Sequence, residues 1–99
     1  MTAQIQQTER FSKWLDALAD RIAKRRILSR IDQLSFGLPG DVGSAGEGIS
    51  ELRIHIGPGY RVYYKQSGKT IYFLLVGGDK STQKRDIAAA KEIARELGI

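Results

Sequence analysis

Cysteine is absent from this chain of 99 residues, and histidine and tryptophan occur once each. Without thiols the chain cannot form disulfides, zinc–thiolate sites or a cysteine nucleophile. One histidine is too few for the usual zinc sites. We expect no metal and no other cofactor. Apolar runs fall short of the roughly 20 residues that span a membrane. The start, MTAQIQQTER, has no basic segment before an apolar core, which predicts no secretory signal and a cytoplasmic location.

Acidic residues are scarce in the second half of the chain. Residues 51–99 carry nine Lys and Arg against five Asp and Glu, a net charge of +4, whereas residues 1–50 have a net charge of +1. Such a one-sided field attracts polyanions, although a basic surface can also serve solubility alone. The overall composition, 41% hydrophobic and 27% charged, is typical of a single globular domain, which we expect to span residues 1–99.

Two helices are predicted near the N-terminus, after a short strand around Ile5. Thr8 can cap the first helix, whose apolar residues recur at helical spacing: Phe11, Trp14, Leu15 and Leu18. A second helix should begin near Asp20, with an apolar stripe formed by Ile22, Ala23, Ile27, Ile31 and Leu34. Residues 37–48 (GLPGDVGSAGEG) contain five glycines and a proline, which predicts an irregular loop.

The segment from Glu51 to Tyr64, ELRIHIGPGYRVYY, predicts a β-hairpin because apolar and polar residues alternate on both sides of Gly57-Pro58-Gly59. A further strand from Thr70 to Val76 and a helix from Ser81 or Thr82 complete the order β-α-α-β-β-β-α. We therefore expect an α+β fold, a small antiparallel sheet with the two N-terminal helices packed on one face. The other face of the sheet should remain open.

Polar side chains of the hairpin share that open face, because alternate strand residues point the same way. The catalytic candidates on it are Arg53, His55, Arg61 and Tyr63. An imidazole can take a proton, a phenol can give one, and guanidinium groups offset phosphate charge, which together suit RNA cleavage by its own 2′-hydroxyl. Each residue also has a structural interpretation, as a solvated or sheet-covering strand residue. The predicted RNA contacts are Lys65, Lys80, Lys84 and Arg85.

The chain resembles the addiction-module killer proteins, HigB-like members of the RelE/ParE toxin superfamily. The resemblance covers nearly the whole chain in order, through FSKWLDAL, LPGDVGSAGEG, ELRI, GPGYRVYY and LLVGGDKSTQKRDIAAA. It implies the fold given above and a toxin of a type II toxin–antitoxin module. RelE-type members bind the ribosomal A site and cut messenger RNA there without a metal. A cognate antitoxin neutralises them, often a small helix-turn-helix protein encoded beside the toxin.

The same resemblance implies roles for particular residues. Arg61 matches the arginine of the family's GYR motif, and Lys80 matches a basic residue that follows a strand glycine. Arg53 and His55 fall near basic residues of the preceding strand, if one residue is inserted in the GPG turn. The C-terminal tyrosine of several RelE members has no counterpart, since that region reads QKRDI around Asp86. Two other functions stay open: inhibition of DNA gyrase, as in ParE-like members, and non-catalytic binding of nucleic acid.

Overall fold

In the computed structural model, which describes residues 3–99, a five-stranded sheet lies between two N-terminal helices and one C-terminal helix. The strands are β1 (Gln4–Gln7), β2 (Val42–Gly46), β3 (Ile49–Ile54), β4 (Tyr60–Ser67) and β5 (Ile71–Asp79). The helices are α1 (Glu9–Asp16), α2 (Arg21–Ser35) and α3 (Gln83–Leu97), with a 3₁₀ turn at Lys80–Thr82. Within residues 3–99 no helix combines the length and hydropathy of a membrane-spanning segment. The fold class is α+β.

The sheet has the order β1-β5-β4-β3-β2, and it is mixed because β1 runs parallel to β5 while the other neighbours are antiparallel. The expectation of a purely antiparallel sheet is therefore wrong. Four residues, QIQQ, reveal no strand direction, since Ile5 is their one apolar side chain. The predicted hairpin is confirmed, with Arg53 opposite Arg61 across β3 and β4.

Side-chain caps fix where the first two helices begin. The Thr8 hydroxyl accepts a hydrogen bond from the Phe11 amide at 3.0 Å and donates one to the Leu75 carbonyl at 2.8 Å. Asp20 accepts from two amides in the first turn of α2. Each cap satisfies helix-end donors that would otherwise lack partners. The predicted beginnings of both helices are confirmed.

The face of the sheet under α1 and α2 is an apolar core. Its fully or nearly buried members are Phe11, Leu15, Ile27, Ile31, Leu34, Leu52, Ile54, Val62, Tyr64 and Leu74. Ile22 does not belong to it, although the sequence predicted it there, and is 64% exposed. Successive residues of a helix point about 100° apart, so burying Ala23 turns its neighbour Ile22 outwards.

The glycine-rich segment is more regular than expected, because residues 42–46 form the edge strand β2 beside β3. Glycine leaves room there for the Arg53 guanidinium: a Cβ at Gly43 would lie 2.4 Å from Arg53 Nη2 and would displace it. The prediction of an irregular loop throughout residues 37–48 is wrong, since close packing rather than a turn explains this glycine.

The sequence predicted that the second face of the sheet is open, and this prediction is wrong because α3 partly covers that face. The apolar core there contains Ile49, Tyr63, Leu75, Val76, Ala90 and Ala94. Strand β5 continues past Val76 through two glycines that let helices approach from both sides. A Cβ would lie 2.1 Å from the Trp14 ring at Gly77, and 1.9 Å from Asp86 Oδ2 at Gly78.

Candidate active site

The charged part of this second face is organised around Glu51 of β3, whose side chain is 4% exposed. Its oxygens accept hydrogen bonds from Arg53 Nε at 2.9 Å, Gln83 Nε2 at 2.8 Å and the Tyr63 hydroxyl at 3.1 Å. Arg61 Nε lies 3.6 Å from Glu51 Oε2 and has no hydrogen-bond partner within residues 3–99. One carboxylate thus connects β3, β4 and α3 and offsets the charges of two arginines.

Glu51 carries a fixed negative charge in the neutral pH range. Burial by itself would raise the pKa of its carboxyl group. The hydrogen bonds from Arg53, Gln83 and Tyr63, together with the positive charge of Arg61, outweigh burial and hold the pKa below its usual value. The arginines therefore always have an ionised partner at neutral pH.

The sequence predicted Tyr63 on an open face of the sheet, and this prediction is wrong. The side chain is fully buried under α3, in the core that contains Ile49 and Leu75. Burial, followed by the charge of Glu51 and the hydrogen bond to it, raises the pKa of Tyr63 far above its ordinary value. In this position the phenol orients Glu51 and stays away from the surface that a nucleic acid could reach.

A cleft of about 350 Å³ lies at the end of the β3–β4 hairpin, lined by residues 55–59, Arg61 and Lys80. Gly59 lies close to both Arg61 and Lys80, since a Cβ there would be 3.4 Å from Arg61 Nη1 and 3.8 Å from Lys80 Cβ. Arg61 Nη1 also donates to the Gly59 carbonyl at 3.1 Å, which fixes the guanidinium at the cleft. The structure therefore brings together three of the predicted site residues, His55 among them, around a space that attracts anions.

Asp41, just before β2, connects His55 to Arg53. One carboxylate oxygen accepts from Arg53 Nη1 at 3.2 Å, and the other pairs with His55 Nε2. The hydrogen bond with His55, more than that with Arg53, lowers the pKa of Asp41. When the neutral imidazole carries its proton on Nε2, Nδ1 is left as a proton acceptor.

Lys80 is placed at the cleft by the 3₁₀ turn between β5 and α3. The Asp79 carboxylate caps this turn by accepting from the Ser81 amide at 2.8 Å, and the hydrogen bond from the Ser81 hydroxyl lowers the pKa of Asp79. The acids near the cleft are thus each engaged by other groups. In the part of the chain that the structure describes, residues 3–99, no three His, Asp or Glu side chains converge to hold a metal.

The remaining predicted RNA contacts lie outside the cleft. Lys65 is four residues beyond Arg61 on β4, about 13 Å along the strand. It lies beside the β2–β3 turn, where a Cβ at Gly48 would be 3.0 Å from Lys65 Cε. Lys84 and Arg85 are exposed on the first turn of α3. The eight predicted residues therefore do not form one continuous site.

Two residues of the site carry no signal in the sequence. Asp41 lies in a glycine-rich segment, and Gln83 is one polar residue at a helix start. The sequence presents Glu51 as no more than a neighbour of the arginines. Its place on the Arg53 face of β3, which follows from strand alternation, is the one clue to the buried cluster.

No model of a known protein family matches the chain. An uncharacterized protein of Haemophilus influenzae (strain ATCC 51907 / DSM 11121 / KW20 / Rd) is 50% identical to it over 99 residues, which cover the whole of both chains. With half of all residues identical over the full length, this chain belongs to the same family as the Haemophilus protein.

Proposed function

We propose that the protein is the toxin of a type II toxin–antitoxin module and cuts messenger RNA on the ribosome. The observation that carries this proposal is the cleft lined by His55, Arg61 and Lys80, with Asp41 bound to the imidazole. The sequence resemblance supplies the toxin class, the ribosomal A site and a cognate antitoxin as partner. Two N-terminal helices on one face of the sheet agree with the fold that the resemblance implies.

The proposed reaction is attack of the RNA 2′-hydroxyl on the adjacent phosphorus. His55, neutral and donating its Nε2 proton to Asp41, takes the 2′-hydroxyl proton at Nδ1. The 2′-oxygen bonds to phosphorus, the bond from phosphorus to the 5′-oxygen breaks, and a 2′,3′-cyclic phosphate remains. Arg61 offsets the charge that develops on the phosphate oxygens. Lys80 stabilises the leaving 5′-oxygen by its charge, and that oxygen takes its proton from solvent.

Arg53 and Tyr63 have supporting roles in this scheme. The Arg53 side chain is shared between Glu51 and Asp41, so it connects the buried carboxylate to the acid that binds His55. Tyr63 donates to Glu51 from within the core. Both residues hold the catalytic groups in place and neither needs to reach the RNA.

A cell-free translation assay with the purified protein tests the proposal. Messenger RNA ends are mapped with and without ribosomes, and the chemistry of the new 3′ ends is determined. We expect cuts on translated message alone, with 2′,3′-cyclic phosphate ends, and their loss in the variant His55→Ala. Intact message with normal protein synthesis would contradict the nuclease function.

A second candidate, inhibition of DNA gyrase, is favoured by the burial of Tyr63. Burial removes the phenol from the surface on which the sequence predicted a proton donor, and an inhibitor needs no proton transfer. A supercoiling assay with purified gyrase tests this function. Loss of supercoiling with intact message would assign it, and RNA binding without either effect would leave a non-catalytic nucleic-acid-binding module.

A further inference from the structure

Arg30 of α2 reaches across to the sheet and to the segment that precedes β2. Its Nη1 donates to the Arg53 carbonyl at 2.6 Å, and its Nη2 donates to the carbonyls of Pro39 at 2.7 Å and Asp41 at 3.2 Å. A planar guanidinium can serve acceptors in several fixed directions at once, which an ammonium group at one point cannot match. One side chain therefore fastens two separate segments of the backbone to α2.

The space for this guanidinium is provided by Gly40, which lies between two of the clamped carbonyls. A Cβ at Gly40 would lie 3.0 Å from Arg30 Nη2, and its φ of +69° also favours glycine. Gly40 therefore allows the Arg30 guanidinium to approach the backbone closely.

One of the residues whose carbonyls Arg30 binds, Asp41, also binds His55. The Asp41 carbonyl accepts from Arg30 and also from the Arg53 amide at 3.0 Å, so its backbone position is doubly fixed. From that backbone the Asp41 carboxylate pairs with His55 Nε2 and Arg53 Nη1. Because Asp41 is exposed and outside any strand, these contacts determine where its carboxylate lies.

We propose that Arg30 is a positioning residue of the site. It holds the backbone of residues 39–41 so that the Asp41 carboxylate stays against His55 and the imidazole presents Nδ1 to the 2′-hydroxyl. The catalytic consequence rests on the proposed ribonuclease function, whereas the arrangement of Arg30, Asp41 and His55 can be tested without it.

The first test is a carbon-13 NMR titration of the Asp41 carboxyl group, which needs no activity. The groups that face this carboxylate are His55 and Arg53, and Arg30 holds its backbone. We expect a low pKa in the wild-type protein and a rise towards the ordinary value in Arg30→Ala. Arg25→Ala, which removes the same charge from an exposed position on the same helix, should leave Asp41 unchanged.

The variant Arg30→Lys distinguishes the hydrogen bonds to the three carbonyls from the effect of the positive charge alone. It also provides a second variant in case Arg30→Ala fails to fold. Lysine keeps the positive charge but cannot span the three carbonyls, so the pKa of Asp41 should still rise. An unchanged Asp41 pKa in Arg30→Lys would overturn the positioning role, because a nearby charge would then be sufficient.

The second test is a double-mutant cycle on the rate of message cleavage. Arg30→Lys and Asp41→Asn should each lower the rate, by up to about 100-fold, because both misplace His55. The double variant should be no slower than the worse single variant, since both changes break the same connection. Losses that multiply would contradict the positioning role. Absence of cleavage by the wild-type protein would instead contradict the proposed function. The NMR titration would still test whether Arg30 holds the Asp41 carboxylate against His55.

Discussion

The two faces of the sheet are covered by helices in different ways. The helices α1 and α2 cover one face over a purely apolar core with aromatic members. On the other face α3 covers an apolar core near Ala90 and Ala94, whereas its first residue, Gln83, meets the charged cluster at Glu51. Incomplete cover thus leaves a border between core and solvent. There the Glu51 carboxylate can be buried while Arg61, one of the two arginines beside it, still lines the cleft.

The largest effect on stability is expected on the fully covered face. Phe11 is completely buried and packs on Trp14, with ring centroids 5.7 Å apart. Phe11→Ala should lower the free energy of unfolding by about 3–5 kcal/mol, because it leaves a cavity among side chains that cannot close around it. Urea denaturation followed by circular dichroism measures this. A loss below about 1 kcal/mol would contradict the tight packing assigned to this face.

A smaller effect is expected at the border on the second face. Glu51→Gln should lower the free energy of unfolding by about 1–3 kcal/mol, because it leaves Arg61 without its buried counter-charge. Glu47→Gln is the matched control, since Glu47 is an exposed acid that binds Arg95 at 2.9 Å. Equal stabilities of the two variants would contradict the importance given to burial.

The pH dependence of stability sharpens the same comparison. Because the pKa of Glu51 is lowered in the folded chain from its usual 4.5, its charge stabilises the fold above that pH, and the contribution is lost as the pH falls through the folded-state pKa. The difference in unfolding free energy between wild type and Glu51→Gln should be largest near neutral pH and narrow below pH 4.5. Denaturation curves across this range measure it, and a constant difference would be inconsistent with this linkage.

Two glycines with left-handed backbone separate the effect of backbone strain from that of an added methyl group in contact with Arg61. Gly59 has a φ of +81° and lies against Arg61, whereas Gly68 has a φ of +64° and open space where its Cβ would be. Alanine at either position should cost about 1–2 kcal/mol of stability through backbone strain. Message cleavage should fall in Gly59→Ala and hold in Gly68→Ala. Similar cleavage by both variants would argue against a site at Gly59.

The apolar pattern of the sequence predicts most of the fold. Alternation in β3 and β4 places Leu52 and Val62 in the core, and helical spacing identifies Phe11 as buried, because both patterns follow directly from backbone geometry. The extent of α3 over the second face cannot be read in this way. Its small residues, such as Ala90, give little indication that they pack closely enough to bury a tyrosine.

The site was harder to predict because its parts are joined by tertiary contacts. Arg61 and Lys80 were identified from the sequence, and the structure places both at the cleft. Asp41 reaches His55 from 14 residues away, and Arg30 reaches the Arg53 carbonyl from 23 residues away. Pairings at such separations have no periodic signature, so they emerge only when the chain is folded.

The central claim is that RNA is cut at the cleft and not wherever the protein is basic. Arg61 and Lys65 lie on the same strand, and replacing either by alanine removes one positive charge. The most direct test compares the rate of message cleavage by Arg61→Ala and Lys65→Ala in the translation assay, with folding of both checked by circular dichroism. We expect a loss of about 100-fold or more for Arg61→Ala and a rate near that of wild type for Lys65→Ala. Equal losses in the two variants would contradict the assignment of the cleft as the active site.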